Sequence, residues 1–298
     1  RLAGLGTPIT DLSAEVTFSA RSIQIESVRG RVAGGHVGAR GEATLADGGL
    51  HHYAIDIDAD GIDVAPVEGL EMTLSASTQL TWDRGERIPH LGGELRVDRF
   101  LFERPIDLGF SSIVTIGDLG RAQRAEVVRY DPQLDRVELD LHVVHDTPML
   151  VRNNIAEAEL RIDDSRRPFR IVGTDQRLGV IGNLEFARGR VFFRSAAFDL
   201  RRGRITFDDE SRIWPAFDVM AVTEIRRSGD LTAPSWRITL DAQGTMDAFN
   251  IRTRSEPDLP QEDVLMLLAA GLTRSELAQL QTSQGMSSLA IEALVGAV

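Results

Sequence analysis

The chain has 298 residues, 42% of them apolar, enough to build a sizeable core in one large or two medium domains. A formal net charge of −12 and a pI near 5.0 argue against a nucleic-acid partner, because phosphate binding draws on a concentrated basic surface. Cysteine is absent, which excludes disulfides and thiolate metal sites, and all 33 basic residues are arginine, which leaves no lysine for a phosphate loop.

From the N-terminus, Arg1 to Thr10 hold no apolar run that could act as a signal peptide or anchor. Val16, Phe18 and Ala20 then alternate with polar residues, and the parity changes at Ile23 and Ile25. Five glycines crowd 30–41, as expected of turns and bulges, and Tyr53, Ile55, Ile57 and Ala59 alternate again. The clearest strand sets Leu70, Met72, Leu74, Ala76, Thr78, Leu80 and Trp82 against seven polar residues. Thirteen residues at ~3.3 Å each span roughly 43 Å, against a usual strand of about five or six residues.

The middle repeats the theme. Val137, Leu139, Leu141 and Val143 oppose Glu138, Asp140 and His142, and Ala156, Ala158, Leu160 and Ile162 oppose Glu157, Glu159, Arg161 and Asp163. Next comes one phrase written twice, Phe186-Ala-Arg-Gly-Arg-Val-Phe-Phe193 and Leu200-Arg-Arg-Gly-Arg-Ile-Thr-Phe207, with glycines 14 residues apart (203 − 189). Phe186 and Val191 are five positions apart, as are Leu200 and Ile205, so neither pair can share a face of an unbroken strand. Each glycine must reverse or bulge the chain. Phe217 to Ile225 and Trp236 to Ala242 alternate once more, and no helical period is convincing before about Ile251.

At Pro257 the pattern changes. Pro257-Asp-Leu-Pro-Gln-Glu-Asp263 ahead of Val264-Leu-Met-Leu-Leu reads as a helix start, and Thr273 to Leu280 and Ser287 to Val295 read as further helix. The longest apolar run, Val264 to Leu272, is nine residues, about half of the roughly 20 that span a bilayer as a helix.

The expected fold is all-β, of long amphipathic strands with a short helical C-terminal segment, and a family resemblance makes of it an elongated, curled antiparallel β-groove. Without helices to cover them, the apolar faces must pack on a second sheet, close on themselves or line a trough. Expected domains are a β-groove repeat region over 1–105, a β-meander domain over 106–256 and the helical segment over 257–298.

The Gly-Arg-Val/Ile-x-Phe meander, the Pro215-Ala-Phe-Asp-Val strand, the Arg237-Ile-Thr-Leu strand and Pro257-Asp-Leu-Pro-Gln-Glu-Asp-Val-Leu-Met-Leu-Leu resemble, in that order, the C-terminal domain of the TamB family. TamB is the large subunit of the translocation and assembly module of diderm bacteria and is related to AsmA-like bridge proteins. The resemblance is best from about Thr147 to Leu280. It implies a periplasmic β-groove with an apolar interior, part of a protein anchored in the inner membrane and reaching an outer-membrane barrel of the TamA type. The implied role is outward movement of phospholipid, assembly of outer-membrane proteins, or both. The family's N-terminal anchor and the strands that follow its helical segment are missing here, so a fragment of a longer protein is expected. No cofactor is implied.

Candidate groove-lining residues are Leu74, Leu80, Leu139, Leu160, Phe193, Phe207, Val219 and Leu240. The candidate partner-docking segment is Val264, Leu265, Leu267, Leu268 and Leu272, a broad apolar stripe that would dock on the end of the sheet or on a partner. Asp56-Ile-Asp-Ala-Asp-Gly61 opens like a calcium loop, but Asp63 and Val67 fall where an apolar residue and a bidentate Glu are needed, so a strand face is the expected reading. His142, His145 and Asp146 lack an evident further ligand, and Ser111 and Ser112 lack a nucleophile elbow, so neither metal binding nor catalysis is expected. Arg188, Arg190, Arg201, Arg202 and Arg204 are read as an outer charged face opposing acids on neighbouring strands, in preference to a headgroup patch. The rival functional readings are a scaffold that guides barrel proteins by strand edges and a structural solenoid or sandwich with a dry interior.

Overall fold

The computed structural model describes residues 8–105, 131–193, 196–226, 235–245 and 248–270. They form one 15-stranded sheet. An antiparallel run of β1 (Thr10–Phe18), β2 (Ser22–Val32), β3 (Gly35–Ala46), β4 (Gly49–Val64), β5 (Leu70–Asp83) and β6 (His90–Phe102) makes the first part. A second antiparallel run follows: β11 (Leu178–Phe193), β12 (Ala196–Asp209), β13 (Pro215–Ile225), β14 (Trp236–Thr245) and β15 (Ala248–Glu256). Between the long strands β6 and β11 lie two short pairs end to end, β7 (Glu138–His145) with β10 (Arg170–Thr174) and β8 (Met149–Arg152) with β9 (Ala156–Ile162). The pairings of β6 with β7 and β8 are parallel, so the otherwise antiparallel sheet changes character there.

One face of the sheet is mainly apolar from end to end, because facing partners carry the same parity. Leu70, Met72, Leu74, Ala76 and Leu80 face Phe102, Phe100, Val97, Leu95 and Leu91 across β5 and β6. Tyr53 and Trp82 face each other across β4 and β5 and stack at 5.9 Å. Leu91 faces Leu139, and farther along Phe217, Val219 and Ala221 face Gly244, Ala242 and Leu240.

Wherever the sequence alternation slips by one residue, a β-bulge absorbs the slip. Ile25 and Val28 take Gly41 and Ala39 as partners, and Ala59 and Ile62 take Ala76 and Leu74. The duplicated phrase carries the device twice, one extra residue between Phe186 and Arg188 and another between Leu200 and Arg202. Each phrase thus stays within one long strand, and Phe186 with Val191, like Leu200 with Ile205, returns to the same face. The glycine of the second phrase has a further role: a Cβ on Gly203 would lie 2.3 Å from Phe186 Cδ2, so the ring occupies the space a side chain would need.

The chain returns to β7 through a 3₁₀ turn (Pro132–Leu134) fixed by a buried carboxylate. Asp135, its side chain 1% exposed, pairs with Arg87 Nη2 at 3.1 Å and accepts from Thr174 Oγ1 at 2.8 Å. Asp175 accepts from the backbone N–H of Arg136 at 2.8 Å, which aims the chain into the parallel register. Farther on, His145 holds the break between β7 and β8. Its Nε2 accepts from Ile162 N–H at 2.8 Å while Nδ1 lies 3.0 Å from the Thr147 carbonyl, so the tautomer protonated on Nδ1 satisfies both.

After β15 the chain reverses into helix α1 (Gln261–Ala270), with Glu262 and Asp263 in its first turn where the helix dipole favours them. The helix lies on the apolar face of the last strands: Val264, Leu267 and Leu268, each at most 2% exposed, join Phe193, Phe198, Ala221, Ile238, Leu240 and Ala242 in one core cluster. The stretches Thr273 to Leu280 and Ser287 to Val295, also expected to be helical, lie outside the described residues.

Because Arg87 is 55% exposed and Asp135 almost wholly buried, the pair is asymmetric. Arg87→Ala strands a buried carboxylate without this cation and is expected to cost about 3 kcal/mol. Asp135→Asn leaves a guanidinium that water can solvate and a side chain that can still accept from Thr174, so it should cost clearly less. Urea unfolding of the two variants checks the order, and equal losses would remove Asp135 as the anchor of the crossover.

Candidate functional site

The apolar face is the candidate site, and its environment changes along the sheet. From β1 to β5 most of its side chains, Ile55, Ile57, Leu74 and Leu80 among them, are neither buried nor fully exposed. Among the described residues nothing seals this half, which is an apolar trough partly open to solvent. At its first edge Leu12 and Phe18 are 64% and 72% exposed.

In the middle the trough narrows to a packed cluster. Val97, Val143, Phe169 and Val180 are buried, with Met72, Leu74, Leu95, Phe100, Leu184 and Phe207 packed against them. Phe169 and Phe207 meet edge to face at 5.7 Å, the geometry their ring quadrupoles prefer. Beyond this the last strands are closed by α1.

The eight candidate lining residues therefore fall on one face but in unequal surroundings. Leu74, Leu80, Leu139, Phe207 and Val219 are half-buried, and Leu160, on β9 opposite Met149 of β8, is 4% exposed. Phe193 and Leu240 sit in the closed cluster under α1, so a charge at either would enter a dry core and not a wet wall. Of the segment read as partner-docking, Val264, Leu267 and Leu268 are buried in the chain's own core, Leu265 packs at its margin, and Leu272 lies outside the described residues. Sequence reasoning missed Phe169 and the whole of β6. Gly92, Gly93 and a bulge near Asp98 interrupt the β6 alternation, and Phe169 follows Pro168 outside any periodic run.

The opposite face is polar and cross-linked. Along β4 and β5, Gln79 Nε2 donates to Asp56 at 2.8 Å, Ser77 Oγ to Asp58 at 3.1 Å and Thr73 Oγ1 to Asp63 at 2.8 Å. The calcium-like Asp56–Gly61 stretch is thus strand face, and Gly61, at φ +64, is a bulge residue that returns Ile62 to the trough. Among the described residues no group of three or more His, Asp and Glu could hold a metal ion.

On the later strands the meander arginines pair with acids. Arg188 reaches Glu159 at 2.5 Å, Arg190 reaches Asp199 at 3.1 Å, and Arg202 and Arg204 each lie 3.5 Å from Asp218 and Asp163. The hydrogen bond from Arg188 holds the Glu159 carboxyl below its ordinary range. At the β12–β13 turn, hydrogen bonds from Ser211 and Arg212 lower Asp209 to about 2.

The TamB C-terminal domain family model matches residues 26–298. No curated protein matches the chain. Among the described residues no helix is long and apolar enough to cross a membrane.

Two measurements test this reading of the polar face. Asp56→Asn with Asp58→Asn should melt with the same calcium independence as the parent; a calcium-dependent rise in Tm confined to the parent would overturn the strand-face assignment. Asp209 has a folded-state pKa of about 2 against an ordinary value of 3.8. Its contribution is therefore present above pH ~4 and is lost as pH falls toward ~2. Asp209→Asn should lower Tm at pH 6, and the gap to the parent should close by pH 2.

Proposed function

The chain belongs to the TamB C-terminal domain family of outer-membrane biogenesis components, and from that premise we propose that it carries phospholipid along its apolar trough across the periplasm. The observation that carries this reading is the continuity of one apolar face through successive long strands, left partly open along β1 to β5. A solid structural core would bury that face throughout. An open trough instead removes acyl methylenes from water at about 0.8 kcal/mol each while the headgroup stays outside.

In this proposal the protein belongs to an envelope-spanning assembly that is anchored in the inner membrane and meets an outer-membrane barrel of the TamA type. A scaffold role in barrel-protein assembly is the second reading. It is favoured by β1 and β15, each of which has a strand partner on one side only among the described residues.

Photo-crosslinking separates the two. Reactive groups at Leu74, Leu80 or Leu139 should capture phospholipid, and those at Ser75 or Glu138, on the opposite face, should not. Equal capture by both sets, or capture of unfolded barrel protein at β1 and β15 with no lipid in the trough, would replace the conduit by the scaffold.

A further inference from the structure

The trough does not run freely to the end of the sheet, because α1 lies on its last part. The surface beneath the helix is made of Phe198, Ala221, Ile238 and Leu240, each at most 5% exposed, and the helix presents Val264, Leu267 and Leu268 to it at spacings i, i+3 and i+4. These strand residues continue the face that is open at the other end: Val219 joins β13 to Gly203 of β12, and Phe207 of β12 belongs to the middle cluster. The helix thus occupies a surface of the kind that, in the open half, has no cover among the described residues.

Two further features set α1 apart from the sheet. Its described part, Gln261–Ala270, buries its apolar residues against the strands and is held there by side-chain packing and not by backbone pairing to a neighbouring strand. The cover is also imperfect. Thr253, opposite Leu240 on the same face, has its hydroxyl buried with no hydrogen-bond partner. A buried donor left unmet disfavours the closed arrangement, and an acyl ester would bring it a carbonyl acceptor.

We propose that the surface under α1 is an acyl-chain site whose resident occupant is the helix. Helix and lipid tail compete for it, and the trough is stopped at this end until a tail displaces the helix, with Thr253 donating to the carbonyl of the arriving ester. The inference rests on the conduit reading and adds a gate to it. It requires α1 to open locally while the strands beneath stay folded, as small, late-packed elements can.

The chain has no cysteine, so a single introduced thiol reports one position. Leu267→Cys, in the helix, and Ala221→Cys, in the sheet below, are treated with a thiol reagent with and without a short-chain phosphatidylcholine kept below its micelle concentration. Lipid should speed labelling at position 267 by about tenfold and leave position 221 protected, because the tail replaces the helix as its cover. Where Leu267→Cys folds poorly, Leu265→Cys at the margin of the cluster serves instead. Thr253→Val should raise Tm and abolish any preference for ester over ether phosphatidylcholine. Lipid retained by native mass spectrometry without faster labelling of the helix overturns the gate and leaves the conduit standing. Equal labelling at 267 and 221 means that the sheet opens as a whole, and it too overturns the gate. Absence of bound lipid overturns the conduit reading and this inference with it.

Discussion

Everything in this molecule depends on keeping one face of a single sheet apolar across strands up to 16 residues long. A period-two pattern has no tolerance for error. One residue too many sends every later side chain to the wrong side, moving Leu and Ile into water and Asp and Arg into the trough. The sequence contains several such slips, and the backbone corrects each with a bulge: before Val28, at Asp60–Gly61, near Asp98 and twice in the duplicated phrase. Bulges also increase local twist, and distributed along the sheet they help a very wide sheet to curl.

The two faces contribute differently. Fully burying an Ile or Phe such as Ile238 or Phe198 stabilises by about 1.5–3 kcal/mol, whereas an exposed ion pair is worth about 0–1 kcal/mol. The arginine–carboxylate pairs on the outer face therefore do little for stability, but they oppose unlike charges across strands and so disfavour shifted registers. Stability is concentrated in the middle cluster and in the cluster under α1. The first strands have a half-wet apolar face that contributes less.

The Asp135 anchor joins the two antiparallel runs. The strands to β6 and those from β11 are ordinary meanders, and the chain joins them with a parallel pairing that short hairpins cannot make. A buried carboxylate held by Arg87 and Thr174 fixes where the returning chain enters, so that Leu139 meets Leu91 and the apolar face continues without a step.

By itself the sequence determined the strand-rich fold, the identity of the apolar face on β5, β7, β9, β13 and β14, the helix after Pro257 and the family resemblance. Each of these rests on local signals: alternation, a proline with acids in a first turn, a phrase repeated at fixed spacing. It left the duplicated glycines open between turn and bulge, and it left the lining open between core and trough, because periodicity states which side chains share a face and not what covers that face. Tertiary structure decided both. Pairing partners put the bulges at Ala187 and Arg201, two residues before the glycines, which stay paired within continuous strands, and the position of α1 divided one apolar face into an open stretch at Leu74 and Leu80 and a closed one at Phe193 and Leu240. Phe169, Thr253 and Asp135 acquire their roles through partners distant in sequence, Phe207, Leu240 and Arg87, which no local pattern encodes.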